Sequence, residues 1–197
     1  MQANYPIQPR DLVLAVISIC GSRSEFGRTS LQKVTFLASL KLGIDLGHRA
    51  YYYGPYSGTV EADAEALVFS GLAKESVEYL DFVNSSGFQA TRYHYVTSEA
   101  GAARVEKLKQ AHPDQLGQVE DLVEELINVI GSLDQKILSA AAKTLYIARE
   151  QGKPVTVEEI KAFAKELGWN LSTSRIGRVA QMLGRLKFVE VKAWADD

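Results

Sequence analysis

The sequence predicts a mainly α-helical protein with small β-hairpins, of α+β class, built as two winged-helix or helix-turn-helix modules joined by a helical connector. Three observations carry this prediction. Apolar residues recur at helical spacing through most of the chain, most runs opened by Ser, Thr, Asp or Pro and several closed by Gly. Two β-patterned runs flank the turn-forming cluster Asn84-Ser85-Ser86-Gly87. Three helices followed by a hairpin is the order of a winged helix. The expected divisions are 1–110 for the first module, 111–131 for the connector and 132–197 for the second module with a truncated wing.

The elements follow in order. Pro9 suits a first helical turn, where its missing N–H is not needed, and Leu12, Val13, Val16, Ile17 and Cys20 follow at helical spacing. Thr29-Ser30-Leu31-Gln32 reads as a capping box opening a second helix, which Gly43 closes. Tyr51-Tyr52-Tyr53 reads as a short strand stopped by Gly54-Pro55. Ser57 or Thr59 caps a third helix with Val60, Ala64, Leu67 and Val68 inward. Leu72–Tyr79 and Phe88–Val96 make the hairpin, and Thr97 or Ser98 opens the next helix. His112-Pro113-Asp114 interrupts it. In the second module, Ser132-Leu133-Asp134-Gln135 and Thr156-Val157-Glu158-Glu159 repeat the capping-box pattern. Gly168 stops the latter helix, and Ser172, Thr173 or Ser174 caps the last, whose apolar set is Ile176, Val179, Ala180 and Leu183. Lys187–Ala193 reads as a strand.

Charge is informative by segment. Residues 1–110 hold eleven basic and eleven acidic side chains, residues 111–152 three and seven, residues 153–197 eight and six. The chain of 197 residues has net charge −2, which excludes a uniformly basic nucleic-acid coat and leaves room for a local patch. One cysteine, Cys20, excludes a disulfide framework, and three scattered histidines argue against a metal centre. No apolar run reaches the length of a membrane span, and residues 1–10 resemble neither a signal nor a transit peptide, so a soluble cytoplasmic protein without cofactor is expected.

Leu31-Gln32-Lys33 on the second helix, the aromatic run into Gly54-Pro55-Tyr56-Ser57, and the later Gly71-Leu72 resemble the Panacea-type antitoxin domain and related bacterial proteins. The resemblance covers roughly residues 11 to 108. It implies a helical, winged-helix-like fold and, in antitoxin members, neutralisation of a toxin by direct contact.

Two functional readings follow. In the first, the last helix is a recognition helix. Arg175, Arg178 and Gln181 lie opposite its apolar stripe, with Arg185 near its end, and Arg pairs with guanine while Gln pairs with adenine. Ser172, Thr173 and Ser174 at its N-terminus suit phosphates, as do Lys187 and Lys192 on the following strand. The alternative is a solvated basic face on an ordinary packing helix. This reading makes the protein a DNA-binding transcriptional regulator. In the second, the first module is a protein-binding antitoxin or adaptor. Its third helix carries Glu61, Asp63 and Glu65 with no Lys or Arg between Ser57 and Gly71, a charge that repels phosphate. Gly54, Pro55, Tyr56, Ser57, Glu61 and Glu65 are the expected contact residues. Tyr51, Tyr53 and Tyr56 either stack bases or, as strand residues, pack in the core. Lys33 and Arg28 reach a backbone or are simply exposed.

The connector stripe of Val119, Leu122, Val123, Leu126, Ile127 and Ile130 recurs at i, i+3, i+4, i+7, i+8 and i+11. It either packs on its own domains or closes a homodimer through Val119, Leu122, Leu126 and Ile130. Catalytic constellations are weak: Cys20 sits on an apolar face, and neither a Walker loop nor a dinucleotide fingerprint occurs, so no enzyme is expected.

Overall fold

The computed structural model describes residues 6–21, 26–83, 89–131 and 133–190. Among them are eight helices and one two-stranded antiparallel hairpin. The order is α1 (Pro9–Gly21), α2 (Arg28–Leu42), α3 (Gly58–Phe69), β1 (Ala73–Val83), β2 (Gln89–Thr97), α4 (Glu99–Ala111), α5 (Pro113–Ile130), α6 (Gln135–Gln151), α7 (Val157–Glu166) and α8 (Thr173–Arg185).

Helix α1 is the axle. Leu12 through Ile17 are all fully buried, so the helix is enclosed on every side rather than amphipathic. It meets α2, α3, α4, α5 and β2. Cys20 is likewise buried as part of this core. The hairpin runs in register from Ala73 opposite Thr97 to Tyr79 opposite Thr91, and His94 on β2 faces Glu78 at 3.3 Å. The expected turn at Asn84–Gly87 lies outside the described residues. The hairpin docks through a backbone bond from Tyr95 N–H to Phe26 O at 2.8 Å. Its approach depends on glycine: a Cβ on Gly27 would stand 2.4 Å from the Tyr93 carbonyl oxygen, and one on Gly101 of α4 1.9 Å from that of Leu72.

Several caps stand where the sequence puts them. Gly43 closes α2 in the left-handed conformation, Ser57 caps α3, Ser98 caps α4, and Thr156 with Glu159 forms a reciprocal capping box on α7. Others differ. Gly27, not Thr29, precedes α2, because the Gln32 amide is drawn away to Ser57. Asp134 caps α6, its carboxylate accepting from the N–H groups of Lys136 and Ile137; Ser132 lies outside the described residues.

Tyr51-Tyr52-Tyr53 is a turn, not a strand. Gly54 N–H bonds back to Tyr51 O at 3.0 Å, with Gly54 at φ +106°, and only Arg49 and Tyr56 pair as a single bridge. The glycine closes a tight loop before any ladder forms, and the three rings stand 54%, 78% and 74% exposed rather than in the core. The strand expected from Lys187 is also absent across 187–190. Lys187 instead takes φ +59° in a helix C-terminal turn, with Phe188 N–H bonded to Leu183 O at 2.9 Å. Residues 191–197, Lys192 included, lie outside the described residues.

The apolar stripe of α5 belongs to the chain's own core. Val119, Leu122, Val123 and Leu126 are fully buried against α1, α2 and α4, and Ile130 packs partly buried beside them. The expected dimer face of Val119, Leu122, Leu126 and Ile130 is thus consumed by folding, because it is the surface that packs on α1, α2 and α4. Helices α6, α7 and α8 pack on one another, and α6 also packs on α2. One buried cluster runs without a break from Ile7 to Leu186.

Candidate nucleic-acid interface

Helix α8 owes its position to its amphipathicity. Ile176 and Leu183 are fully buried, with Val179 and Met182 nearly so, against α6 and α7. Ala180 is half-buried. Gly168 at φ +70° ends α7, Trp169 and Leu171 anchor the connecting turn in the core, and the Ser172 hydroxyl accepts from Arg175 N–H at 3.3 Å to open α8. The opposite face carries Arg175, Arg178, Gln181 and Arg185, all exposed, with Ser172, Thr173 and Ser174 exposed at its start and Lys187 exposed beyond its end.

What distinguishes this face is that its unpaired arginines are grouped on one helix. Elsewhere among the described residues four arginines are paired, among them Arg10 with Asp63 at 3.0 Å, Arg28 with Glu75 at 2.8 Å and Arg104 with Asp11 at 2.9 Å, while Arg49 and Arg149 stand singly. Among the described residues, none of Arg175, Arg178 and Arg185 has a carboxylate within ion-pair distance. Three positive charges on one helix face without a counter-charge make a local positive potential.

The expected protein-contact residues divide differently. Gly54, Pro55 and Ser57 are buried, so they serve the fold and are not available to a partner. Tyr56, Glu61 and Glu65 reach the surface, the Tyr56 hydroxyl donating to Glu61. Beneath them the two short motifs meet. The Gln32 side chain accepts from Ser57 N–H at 2.9 Å and donates to Ser57 O at 3.0 Å, and Lys33 Nζ donates to Pro55 O at 2.6 Å. Lys33 is therefore buried at 2% exposure, not a surface lysine. The spacing of the motifs gave no sign that they bond each other.

Burial lowers the Lys33 ammonium to about 8, helped by the positive charge of Lys143, and lowers His48 to about 4, helped by Lys33. The His48 Nε2 is buried without a hydrogen-bond partner among the described residues. Both groups bind fewer protons folded than unfolded between these values and their ordinary ones, so stability rises with pH in each window. The denaturation midpoint in urea should climb between pH 4 and 6.5, level off, and climb again from pH 8 to 10, each rise worth up to roughly 3 kcal/mol. Above pH 10 the rise reverses, because Tyr56 is pushed up to about 12 by its bond to Glu61 and Tyr95 is raised by burial. Lys33→Met should remove most of the alkaline rise, leaving the part that half-buried Lys143 contributes, and should only reduce the acid one, since His48 keeps its burial; a flat wild-type profile between pH 8 and 10 would contradict the burial of this charge.

Sequence reasoning missed a second basic surface, made by Lys136 and Lys143 on α6, two turns apart on one face, next to the N-terminal end of α8. Their seven-residue spacing was the available signal, but nothing local says that α6 lies beside α8. No family model matches the chain, and no curated protein matches it either. Among the described residues no helix is long and apolar enough to cross a membrane, and no group of three His, Cys, Asp or Glu side chains is placed to hold a metal ion.

Proposed function

We propose that the protein binds DNA as a transcriptional regulator, with α6, α7 and α8 forming a helix-turn-helix unit and α8 its recognition helix. The observation that carries this is the uncompensated basic face of Arg175, Arg178 and Arg185, with Gln181 among them, opposite an apolar stripe held in the core. A helix held rigidly by one face and lined with hydrogen-bond donors on the other meets the two demands of major-groove readout. Helices α1 to α3 with the hairpin form, in this reading, a winged-helix-like module that supports the reader.

The test uses the full chain, a selected duplex and a salt series. Arg178→Ala and Gln181→Ala should leave thermal stability nearly unchanged, since neither side chain is buried. Each should weaken binding by about 1–3 kcal/mol if it touches a base edge; a phosphate contact at Arg178 would instead weaken all sequences alike and lower the salt slope by about one. Wild-type protein that binds no duplex below about 100 μM at physiological salt would remove the regulator reading.

A second reading, the protein-binding adaptor with a Panacea-type antitoxin likeness, is favoured by a separate feature. Glu61, Glu65 and Phe69 follow at i, i+4 and i+8 on α3, all exposed, with Phe69 at 95%. An apolar ring projecting at the end of an acidic strip suits a basic protein partner.

A further inference from the structure

A cleft runs between the hairpin, the start of α2 and the outer face of α6. Its wider part, of about 520 Å³, is bordered by Arg28, Arg92 and Tyr93; its narrower part, of about 230 Å³, by Tyr53, Lys143 and Arg175. Thr29, Gln135 and Lys136 border both parts, so the two adjoin along these side chains.

Its chemistry is one-sided. Five cationic side chains line it against a single carboxylate, Asp134, whose Oδ1 accepts from the N–H groups of Lys136 and Ile137 at 2.9 Å. Arg28 is paired to Glu75 and Arg92 to Glu78. Among the described residues, Lys136, Lys143 and Arg175 have no carboxylate within ion-pair distance. Lys143 is held in place from below: it lies over the Trp169 ring at 5.5 Å, and a Cβ on Gly54 would sit 3.0 Å from its Cγ. At the rim Tyr53 is 74% exposed, with Tyr51 and Tyr52 edge-to-face beside it. Spaced cations along a narrow channel, with open aromatic faces at its edge, are the two components that bind a nucleic-acid strand through phosphate and base. The volumes are those of a small-ligand pocket, the scale of one or two nucleotides and not of a duplex.

We propose that this cleft holds an unpaired nucleic-acid strand, with Lys136, Lys143 and Arg175 on successive phosphates and a base stacked on Tyr53. The proposal goes beyond duplex reading by α8 and does not depend on it; the two surfaces share Arg175 alone. A strand frayed or displaced beside a bound duplex would pass directly from one to the other.

The experiment measures fluorescence anisotropy of a labelled twelve-residue oligothymidylate and of a labelled blunt duplex, with the full chain at moderate salt. Lys136→Gln and Tyr53→Ala change exposed side chains, so melting should match wild type. Both should weaken oligothymidylate binding at least about five-fold, with Tyr53→Phe restoring it because the ring persists, and neither should change duplex affinity. Arg178→Ala should do the reverse. Wild-type binding to oligothymidylate without any duplex binding would still support the cleft while removing the α8 reading. Variants that bind oligothymidylate as wild type does, or wild type that does not bind it, would overturn the proposal. So would oligoglutamate competing as well as oligothymidylate, since charge alone, as in an acidic peptide, would then explain the site.

Discussion

Leu126→Glu abolishes the folded state. Leu126 is fully buried on α5, among helices α1, α2 and α4, and a carboxylate there replaces a side chain of the hydrophobic core. Burying an unpaired charge exceeds the marginal stability of a domain this size, about 5–15 kcal/mol, unless the group takes up a proton and still loses its packing. The expected outcome is insoluble or unfolded protein, read by circular dichroism. Leu126→Ala separates folding from self-association. It should cost about 2–5 kcal/mol in urea denaturation and leave the molar mass in light scattering unchanged. A mass that falls on Leu126→Ala with stability intact would return this stripe to an interface between copies.

Gln32→Leu should cost about 2–4 kcal/mol. The volume is nearly conserved, so the loss is polar: Ser57 N–H is left without its acceptor in the core, and Ser57 O keeps only the N–H of Glu61, at 3.2 Å. A buried donor stripped of its partner pays its full desolvation cost, which a new methyl group does not return. The same residue caps α3 and bonds Leu46 through its hydroxyl, so loosening it frees both the helix start and the loop before it. Urea denaturation measures the loss, and a value below about 1 kcal/mol would mean the motif pair is not coupled energetically. Hydrogen exchange at the start of α3 should rise in parallel.

What was legible in the sequence is what local physics writes there. Apolar periodicity marks α1, α2, α6, α7 and α8, glycines close all of these but α8, and side-chain caps at Ser57, Ser98, Thr156 and Ser172 are readable because a cap acts within three residues. Failures came where a distant partner outbids a local one. Gln32 was eligible for a box with Thr29, yet it bonds a residue twenty-five positions away. Tyr51 to Tyr53 carry strand propensity, yet Gly54 turns them and Trp169, from the other end of the chain, takes the Tyr51 carbonyl at 2.6 Å. The α5 stripe shows that something must cover it, and periodicity never says what. On α8 the exposed face was readable because polar residues at helical phase have only one side left. The cleft was not, since Arg28, Lys136 and Arg175 come from three separated helices whose packing no spacing records.

The bond between Trp169 and Tyr51 gives the molecule a built-in optical reporter. Of the two tryptophans in the chain, Trp169 is 3% exposed, with its indole N–H committed to the tyrosine loop, the Tyr146 ring 5.9 Å away and the Lys143 ammonium over its face. Emission from a buried indole is sensitive to a charge above its ring and to the fate of its one donor. Whatever moves the loop, displaces Lys143 or shifts the turn leading into α8 therefore changes the colour and yield of the same fluorophore. Events on both halves of the chain converge on one unlabelled signal.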